Sequence, residues 1–120
     1  MKQPLTIGFI GLGLIGGSIA KAIRYYYPDI RIIAHTRSQA TIDYALNEQI
    51  IDIACDQVDA RFSECDYIFL CAPVEANASY LEILKSLSQP GCILTDVGST
   101  KTDIHTHVAD LGLESQFIGG

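Results

Sequence analysis

Positive charge is scarce in this sequence of 120 residues. Eight lysines and arginines stand against 14 aspartates and glutamates, so the formal net charge is −6 at pH 7 with histidine neutral. Such a chain offers no basic face to nucleic acid or to an anionic membrane, and we expect neither as a partner. An acidic domain can still bind a polyanionic small molecule through helix dipoles and one or two local cations.

Metal-binding motifs are also missing, as are internal repeats and low-complexity runs. The four cysteines are Cys55, Cys65, Cys71 and Cys92. They form no C-x-x-C pair, and no histidine stands at a metal-ligand spacing. We therefore expect no metal site, and we interpret the cysteines as small buried hydrophobic residues of a cytoplasmic protein in a reducing environment.

Charged residues are absent from Gln3 to Ala20, directly after Lys2. A stretch of this kind resembles a signal peptide or a membrane span. It contains five glycines, at positions 8, 11, 13, 16 and 17. These glycines disfavour both a lipid-facing helix and a compact apolar signal core, and the basic segment before them is a single lysine. The sequence therefore favours a soluble protein.

Short apolar runs alternate with helical stretches along the chain. A hydrophobic content of 48% and a charged content of 18% indicate a globular protein, and the length fits one domain, residues 1–120. The predicted strands are 6–10, 31–35, 51–54, 67–71, 92–96 and one that begins at 117. The predicted helices are 14 to about 27, 38 to about 47, 75 to about 87, and one from Ser99 to Gly112. This order predicts an α/β fold with a doubly wound parallel sheet.

Three of the predicted helices have apolar residues at core spacing. They are Ile15, Ile19, Ala22 and Ile23 in the first helix, Ala78, Leu81 and Leu84 in the third, and Ile104, Val108 and Leu111 in the last. We expect these residues to face the sheet.

A glycine-rich loop, Gly11-Leu12-Gly13-Leu14-Ile15-Gly16, joins the first strand to the first helix. The G-x-G-x-x-G pattern alone is weak evidence, but a strand before it and a helix after it are the context of a dinucleotide-binding loop. Gly11 permits a tight turn, Gly13 lets the backbone approach a pyrophosphate, and Gly16 lets the helix pack on the strand. We expect these six residues to bind the pyrophosphate at the helix N-terminus. The alternative is a merely flexible turn.

No carboxylate follows the second strand, where NAD-binding domains usually have an acidic residue that accepts the ribose hydroxyls. The matching stretch is His35-Thr36-Arg37-Ser38. Arg37 is able to pair with a 2′-phosphate and stack on adenine, and the hydroxyls of Thr36 and Ser38 add hydrogen bonds. We expect these four residues to bind the adenosine end and to favour NADP over NAD. The alternative is that Arg37 is an ordinary solvated residue at the start of a helix.

Three further strings are informative: Asp96-Val97-Gly98-Ser99-Thr100-Lys101, Phe69-Leu70-Cys71-Ala72-Pro73 and the closing Phe117-Ile118-Gly119-Gly120. Together with the segment 7–18, they resemble the prephenate/arogenate dehydrogenase family of tyrosine biosynthesis along the whole chain. The combination is much more specific than the glycine loop alone. The resemblance implies the NAD(P)-binding Rossmann domain of an enzyme that oxidatively decarboxylates prephenate, to 4-hydroxyphenylpyruvate, or arogenate, with hydride passing from the ring to NAD(P)+.

The resemblance also implies roles for individual residues. The family's catalytic serine maps onto Ser99, which would hydrogen-bond near the substrate hydroxyl and the nicotinamide and help to orient the catalytic histidine. A plain helix N-cap is the alternative, and the two roles are compatible. Cys71, Ala72 and Pro73 would lie against the nicotinamide ribose, without thiol chemistry. Lys101 matches the family's lysine, with a structural role as the alternative.

The chain departs from the family pattern where it ends. Members continue after the paired glycines with a His-Pro-x-Ala-Gly string, whose histidine is the base, and with a helical domain that supplies substrate contacts and the homodimer interface. The chain stops at Gly120, and His105 and His107 lie within a predicted helix, so they are poor substitutes for that base. We expect the 120-residue chain to bind cofactor without turnover, because general-base catalysis typically contributes about 10²–10⁴-fold.

Two other interpretations stay open. One is another NADP-dependent reductase with a related domain, of the pyrroline-carboxylate or β-hydroxyacid type, against which Gly98-Ser99-Thr100-Lys101 argues. The other is a non-catalytic NADP-sensing module, which a missing histidine would suit. The intact string around Ser99 favours the dehydrogenase over both.

Overall fold

Parallel strands dominate the computed structural model, which describes residues 5–12, 14–71, 74–87, 91–96 and 117–118. The strands are β1 (Thr6–Ile10), β2 (Arg31–His35), β3 (Ile53–Cys55), β4 (Tyr67–Leu70), β5 (Ile93–Asp96) and β6 (Phe117–Ile118). They form one sheet in the order β3-β2-β1-β4-β5-β6, and each neighbouring pair is parallel. The helices are α1 (Leu14–Tyr26), α2 (Gln39–Asn47) and α3 (Val74–Leu87), with a 3₁₀ turn at Ala60–Glu64.

Each face of the sheet carries its own hydrophobic core. The face under α1 and α2 contains Ile7, Phe9, Leu12, Ala20, Ile32, Ala34, Ile42, Ala45, Ile50 and Ile51. The face under α3 and the 3₁₀ turn contains Ile10, Ile33, Cys55, Phe62, Cys65, Ile68, Leu70, Leu84, Cys92 and Leu94. Because strand side chains alternate between faces, a sheet covered on both sides needs nearly continuous apolar strands, and β1 is buried at all five positions. The predicted doubly wound sheet is confirmed.

Several boundaries and one helix face differ from the sequence predictions. The third strand begins at Ile53 rather than at residue 51, because Asp52 makes other contacts. The N–H of Asp52 donates to the Ile32 carbonyl. The carboxylate of Asp52 accepts from Arg24 and from the Ile32 N–H. In α1 the prediction for Ala22 was wrong: it is exposed, and Ala20 is fully buried instead.

Other predicted elements were confirmed within a residue or two, and a few predictions concern residues that the structure does not describe. Leu84 is fully buried, as predicted. The helix expected after Ser99 lies outside the described residues, as do the side chains of Ile15, Ala78 and Leu81. Of the helices that the structure describes, none is long and apolar enough to cross a membrane.

Candidate dinucleotide-binding site

The strand order creates a crevice at the carboxyl edge of the sheet. From β1 the chain runs outward to β2 and β3, and then returns to place β4 on the other side of β1. The last residues of these neighbours are adjacent, since Ile10 is paired with His35 of β2 and with Leu70 of β4. In open α/β sheets, ligands bind where the chain order reverses in this way.

Gly11 makes the turn that leaves β1. Its φ is 84°, a conformation that side chains other than glycine rarely adopt, so the predicted tight turn is confirmed. Its N–H donates to the His35 carbonyl at 2.6 Å, and the N–H of Cys71 donates to the Ile10 carbonyl at 2.8 Å. The ends of β1, β2 and β4 are therefore joined by hydrogen bonds at the crevice.

Gly16 lies where α1 meets the end of β4. A Cβ atom at this position would stand 3.0 Å from both Cβ and Sγ of Cys71 and 3.1 Å from the Gly11 carbonyl oxygen. The predicted close packing of helix on strand is thus confirmed. Leu12 is buried, and its carbonyl accepts from the N–H of Gly17 at 2.5 Å. Leu14 and Ile15 begin α1.

The segment after β2 carries the predicted adenosine-binding residues. Ser38 is the N-cap of α2, and its Oγ accepts from the N–H of Thr41 at 3.2 Å. Thr36 Oγ1 accepts from the Ser38 N–H at 3.5 Å. Arg37 is exposed, and its guanidinium forms no ion pair with the part of the chain that the structure describes. An exposed cation without an ion-pair partner among the described residues is therefore available at this end of the crevice.

The ring of His35 points away from solvent and into the core. The residue is 8% exposed, Nδ1 lies 3.0 Å from the Cys55 carbonyl oxygen, and Nε2 lies 3.2 Å from the Tyr80 hydroxyl. Tyr80 was not among the residues predicted for the site. One signal was present: Tyr80 lies four residues before Leu84, so the two side chains share a helix face.

An acidic cluster follows β3, which lies beside β2. Arg61 donates to Asp59 at 2.7 Å and to Asp56 at 2.9 Å, and its hydrogen bonds to Asp59 lower the pKa of that carboxyl from 3.8 to about 2. Both carboxylates thus have a cationic partner close to the crevice.

The cysteines are free thiols in this structure. Cys55, Cys65 and Cys92 are buried as predicted, whereas Cys71 is partly exposed at the crevice. Burial raises the pKa of Cys71 to about 12, so this thiol is protonated at neutral pH. No group of three or more metal-ligating side chains occurs among the residues described. Gly13, Ala72, Pro73 and Ser99 lie outside those residues.

The described part of the crevice fits a dinucleotide in two respects. First, the space beside Gly16 is too narrow for a Cβ atom, so α1 begins unusually close to the ends of β1 and β4. Second, the segment 36–38 presents hydroxyls and one cation, and no carboxylate. This donor set complements phosphate oxygens.

Comparisons with known proteins agree with this geometry. A sequence profile of the family described as "Prephenate dehydrogenase, nucleotide-binding domain" matches residues 19–120. The prephenate dehydrogenase of Bacillus subtilis (strain 168) is 39% identical over 121 residues, which cover 96% of this chain and 32% of that protein. The chain spans about a third of the length of the curated relatives it matches.

Solved structures show the same similarity. The crystal structure of Synechocystis arogenate dehydrogenase has a TM-score of 0.82 and 36% identity, covering 96% of this chain and 40% of that one. The prephenate dehydrogenase from A. aeolicus, crystallised with hydroxyphenyl propionate and NAD+, has a TM-score of 0.86 and covers 98% of this chain and 41% of that one. At 24% identity, this second structure supports the fold alone. Because the profile match covers most of its length, the chain belongs to the family of prephenate dehydrogenase nucleotide-binding domains.

Proposed function

We propose that this chain is the cofactor-binding domain of an NADP-preferring prephenate or arogenate dehydrogenase. The proposed NADP preference rests on one observation, the exposure of Arg37 in the segment after β2. This arginine has no ion-pair partner among the described residues and is flanked by two hydroxyl side chains. A 2′-phosphate on the adenosine ribose supplies the anion that this guanidinium lacks.

The surrounding carboxylates support this preference. Asp56 follows β3 directly at this edge of the sheet, and Arg61 donates to it. Its charge is therefore partly compensated, so repulsion of a 2′-phosphate is reduced. A carboxylate that could accept two ribose hydroxyls, as in an NAD-specific site, is absent from 36–38.

The remaining proposed contacts follow the crevice from one end to the other. The pyrophosphate would lie over the loop 11–16 at the N-terminus of α1, where helix N–H groups and the helix dipole favour an anion. Cys71, Ala72 and Pro73 would contact the nicotinamide ribose through their shape and backbone groups. Ser99 would hydrogen-bond near the nicotinamide and the substrate hydroxyl.

In the full-length enzyme, the bound cofactor would accept a hydride from the ring of prephenate or arogenate as the ring carboxylate leaves as carbon dioxide. The curated relative from Zymomonas mobilis is a cyclohexadienyl dehydrogenase, and the solved neighbours include an arogenate and a prephenate dehydrogenase. The proposed substrate class is therefore a cyclohexadienyl carboxylate.

Calorimetric titration of the 120-residue chain with NADPH and with NADH tests the cofactor proposal. One hydrogen bond between charged groups contributes about 1.5–3 kcal/mol, so NADPH should bind at least about tenfold more tightly. Arg37→Ala should remove most of this preference, because the affinity for NADPH should fall much more than the affinity for NADH.

A matched control is Lys85→Ala, which removes an exposed cation from the last turn of α3, at the opposite end of that helix from the crevice. This variant should keep the preference for NADPH. Equal affinities of the unaltered chain for both dinucleotides, or tighter binding of NADH, would overturn the assignment to Arg37.

A further inference from the structure

The ring of His35 makes two hydrogen bonds whose direction follows from chemistry. The Cys55 carbonyl oxygen can only accept, so Nδ1 of His35, 3.0 Å away, carries a proton. In the neutral ring, Nε2 is then an acceptor, and the Tyr80 hydroxyl, 3.2 Å away, donates to it. Both nitrogens of this buried ring are therefore satisfied, one by β3 and one by α3.

The Tyr80 hydroxyl is held at a fixed place. Leu84, one turn later in α3, is fully buried against the same face of the sheet, and Tyr80 packs against that core. The rings of Tyr80 and His35 meet edge to face, with centroids 5.7 Å apart and planes at 76°. Since α3 begins at Val74, shortly after β4 ends, this hydroxyl links the β4–α3 unit to the end of β2.

The main chain of His35 connects the same residue to the glycine loop. Its carbonyl accepts the Gly11 N–H at 2.6 Å, and the next three residues are Thr36, Arg37 and Ser38. One residue thus contacts the turn at Gly11 through its main chain and β3 and α3 through its ring.

We propose that Tyr80, acting through His35, is a positioning residue that sets the specificity of the site for the phosphorylated adenosine end of the cofactor. Neither side chain needs to touch the cofactor for this effect. Without the Tyr80 hydroxyl, Nε2 becomes a buried acceptor without a partner, which favours rotation of the ring and loosens the segment that carries Arg37. The inference rests on the proposed function, because it assigns a cofactor-binding role to Arg37.

Tyr80→Phe removes one oxygen atom and keeps the packed ring. The matched control is Tyr44→Phe, which removes an exposed hydroxyl in α2 that accepts from Lys21 at 3.3 Å. The probes are adenosine 2′,5′-bisphosphate and adenosine 5′-monophosphate, titrated calorimetrically against the 120-residue chain. We expect Tyr80→Phe to lower the ratio of the two affinities about fivefold, and Tyr44→Phe to leave it unchanged.

A second variant, His35→Asn, keeps a donor for the Cys55 carbonyl and removes the acceptor for Tyr80. The same loss of preference is expected, and the double variant should lose no more than either single variant. A purely structural role would lower the urea midpoint and leave the affinity ratio intact.

Amide hydrogen exchange at Gly11, measured by NMR relative to Ile33 in the centre of β2, gives a readout that needs no ligand. Exchange at Gly11 should be faster in Tyr80→Phe than in the unaltered chain. An unchanged affinity ratio together with unchanged exchange at Gly11 overturns the inference. If the unaltered chain binds neither NADPH nor NADH, the proposed function is overturned instead. In that case, unchanged exchange at Gly11 in Tyr80→Phe rejects the positioning role as well.

Discussion

Replacing Gly16 by alanine tests how closely α1 packs against the crevice. The added Cβ would stand 3.0 Å from Cβ and Sγ of Cys71 and 3.1 Å from the Gly11 carbonyl oxygen. Two of these three atoms, the Cys71 Cβ and the Gly11 oxygen, are not the far end of a flexible side chain, so α1 itself must shift. Overpacking of this kind costs about 1–3 kcal/mol.

Gly17→Ala is the matched control, since the next residue in the same helix has space for a methyl group. Among the described residues, its Cβ would meet only the Leu12 carbonyl oxygen, at 3.5 Å. Both substitutions gain the helix propensity of alanine over glycine, about 1 kcal/mol, and this contribution cancels in the comparison. The free energies of unfolding of the two variants should therefore differ by about 1–3 kcal/mol, with Gly16→Ala the less stable.

Urea denaturation followed by far-UV circular dichroism measures this difference. With a slope of about 1–3 kcal/mol/M for a small domain, the midpoints should be separated by about 1 M. Gly16→Ala should also bind NADPH more weakly than Gly17→Ala, because the shift of α1 moves the helix N-terminus away from Gly11. Coincident midpoints and equal affinities would refute the argument that Gly16 is required by close packing.

Two further predictions concern stability away from the loop. Gly8→Ala places a Cβ 2.8 Å from Cys65 Sγ and 2.9 Å from Phe62 Cε1, so it should lower the free energy of unfolding by about 1–3 kcal/mol. Gly91→Ala, whose Cβ would have no described residue within 4 Å, should not, and equal urea midpoints for the two variants would contradict this. The pKa of Asp59 falls from 3.8 to about 2 on folding, so its carboxylate stabilises the fold above pH 4 and this stabilisation is lost as the pH falls from about 4 to about 2. The difference in urea midpoint between the unaltered chain and Asp59→Asn should therefore shrink over that range, and a difference independent of pH would disprove the assignment.

The sheet was predictable because parallel strands covered on both faces must be apolar along their whole length. Thr6–Ile10 and Arg31–His35 were located without error, since each is a continuous run bounded by a polar or glycine-rich segment. Right-handed crossovers allow few arrangements of these elements, and they favoured the doubly wound sheet. These features depend on short stretches of sequence and on general rules of chain topology, and so they can be inferred from the residues alone.

The errors have tertiary causes. The start of β3 depends on Asp52, whose carboxylate is held by Arg24 from α1, a residue 28 positions away. The short turn at Ala60–Glu64 went unpredicted because it is only five residues long and has a single buried side chain, Phe62. Neither feature leaves a periodic signal in the sequence.

His35 was predicted among the residues that bind the adenosine end of the cofactor, and alternation along the strand indicates that its ring faces the core. Ile33 and His35 are two residues apart in β2 and therefore share a face, and Ile33 lies in the core beneath α3. The main chain of His35 thus contacts the glycine loop, whereas its side chain lies in the core. A motif that matches residues by position does not distinguish these two contacts.

The charge distribution explains how an acidic chain can belong to a family that binds a polyanion. Two of the four described arginines are paired, Arg24 with Asp52 and Arg61 with Asp56 and Asp59, so these two cations are neutralised where they hold the fold together. Arg37 is exposed beside the crevice instead. Exposed charges are screened over about 8–10 Å at physiological salt, so the net charge of −6 matters less to a bound phosphate than the sign of the nearest side chain. We propose that selection between NADP and NAD is a local property of the end of β2, where Arg37 would supply the charge and the hydrogen bonds of His35 would fix the backbone.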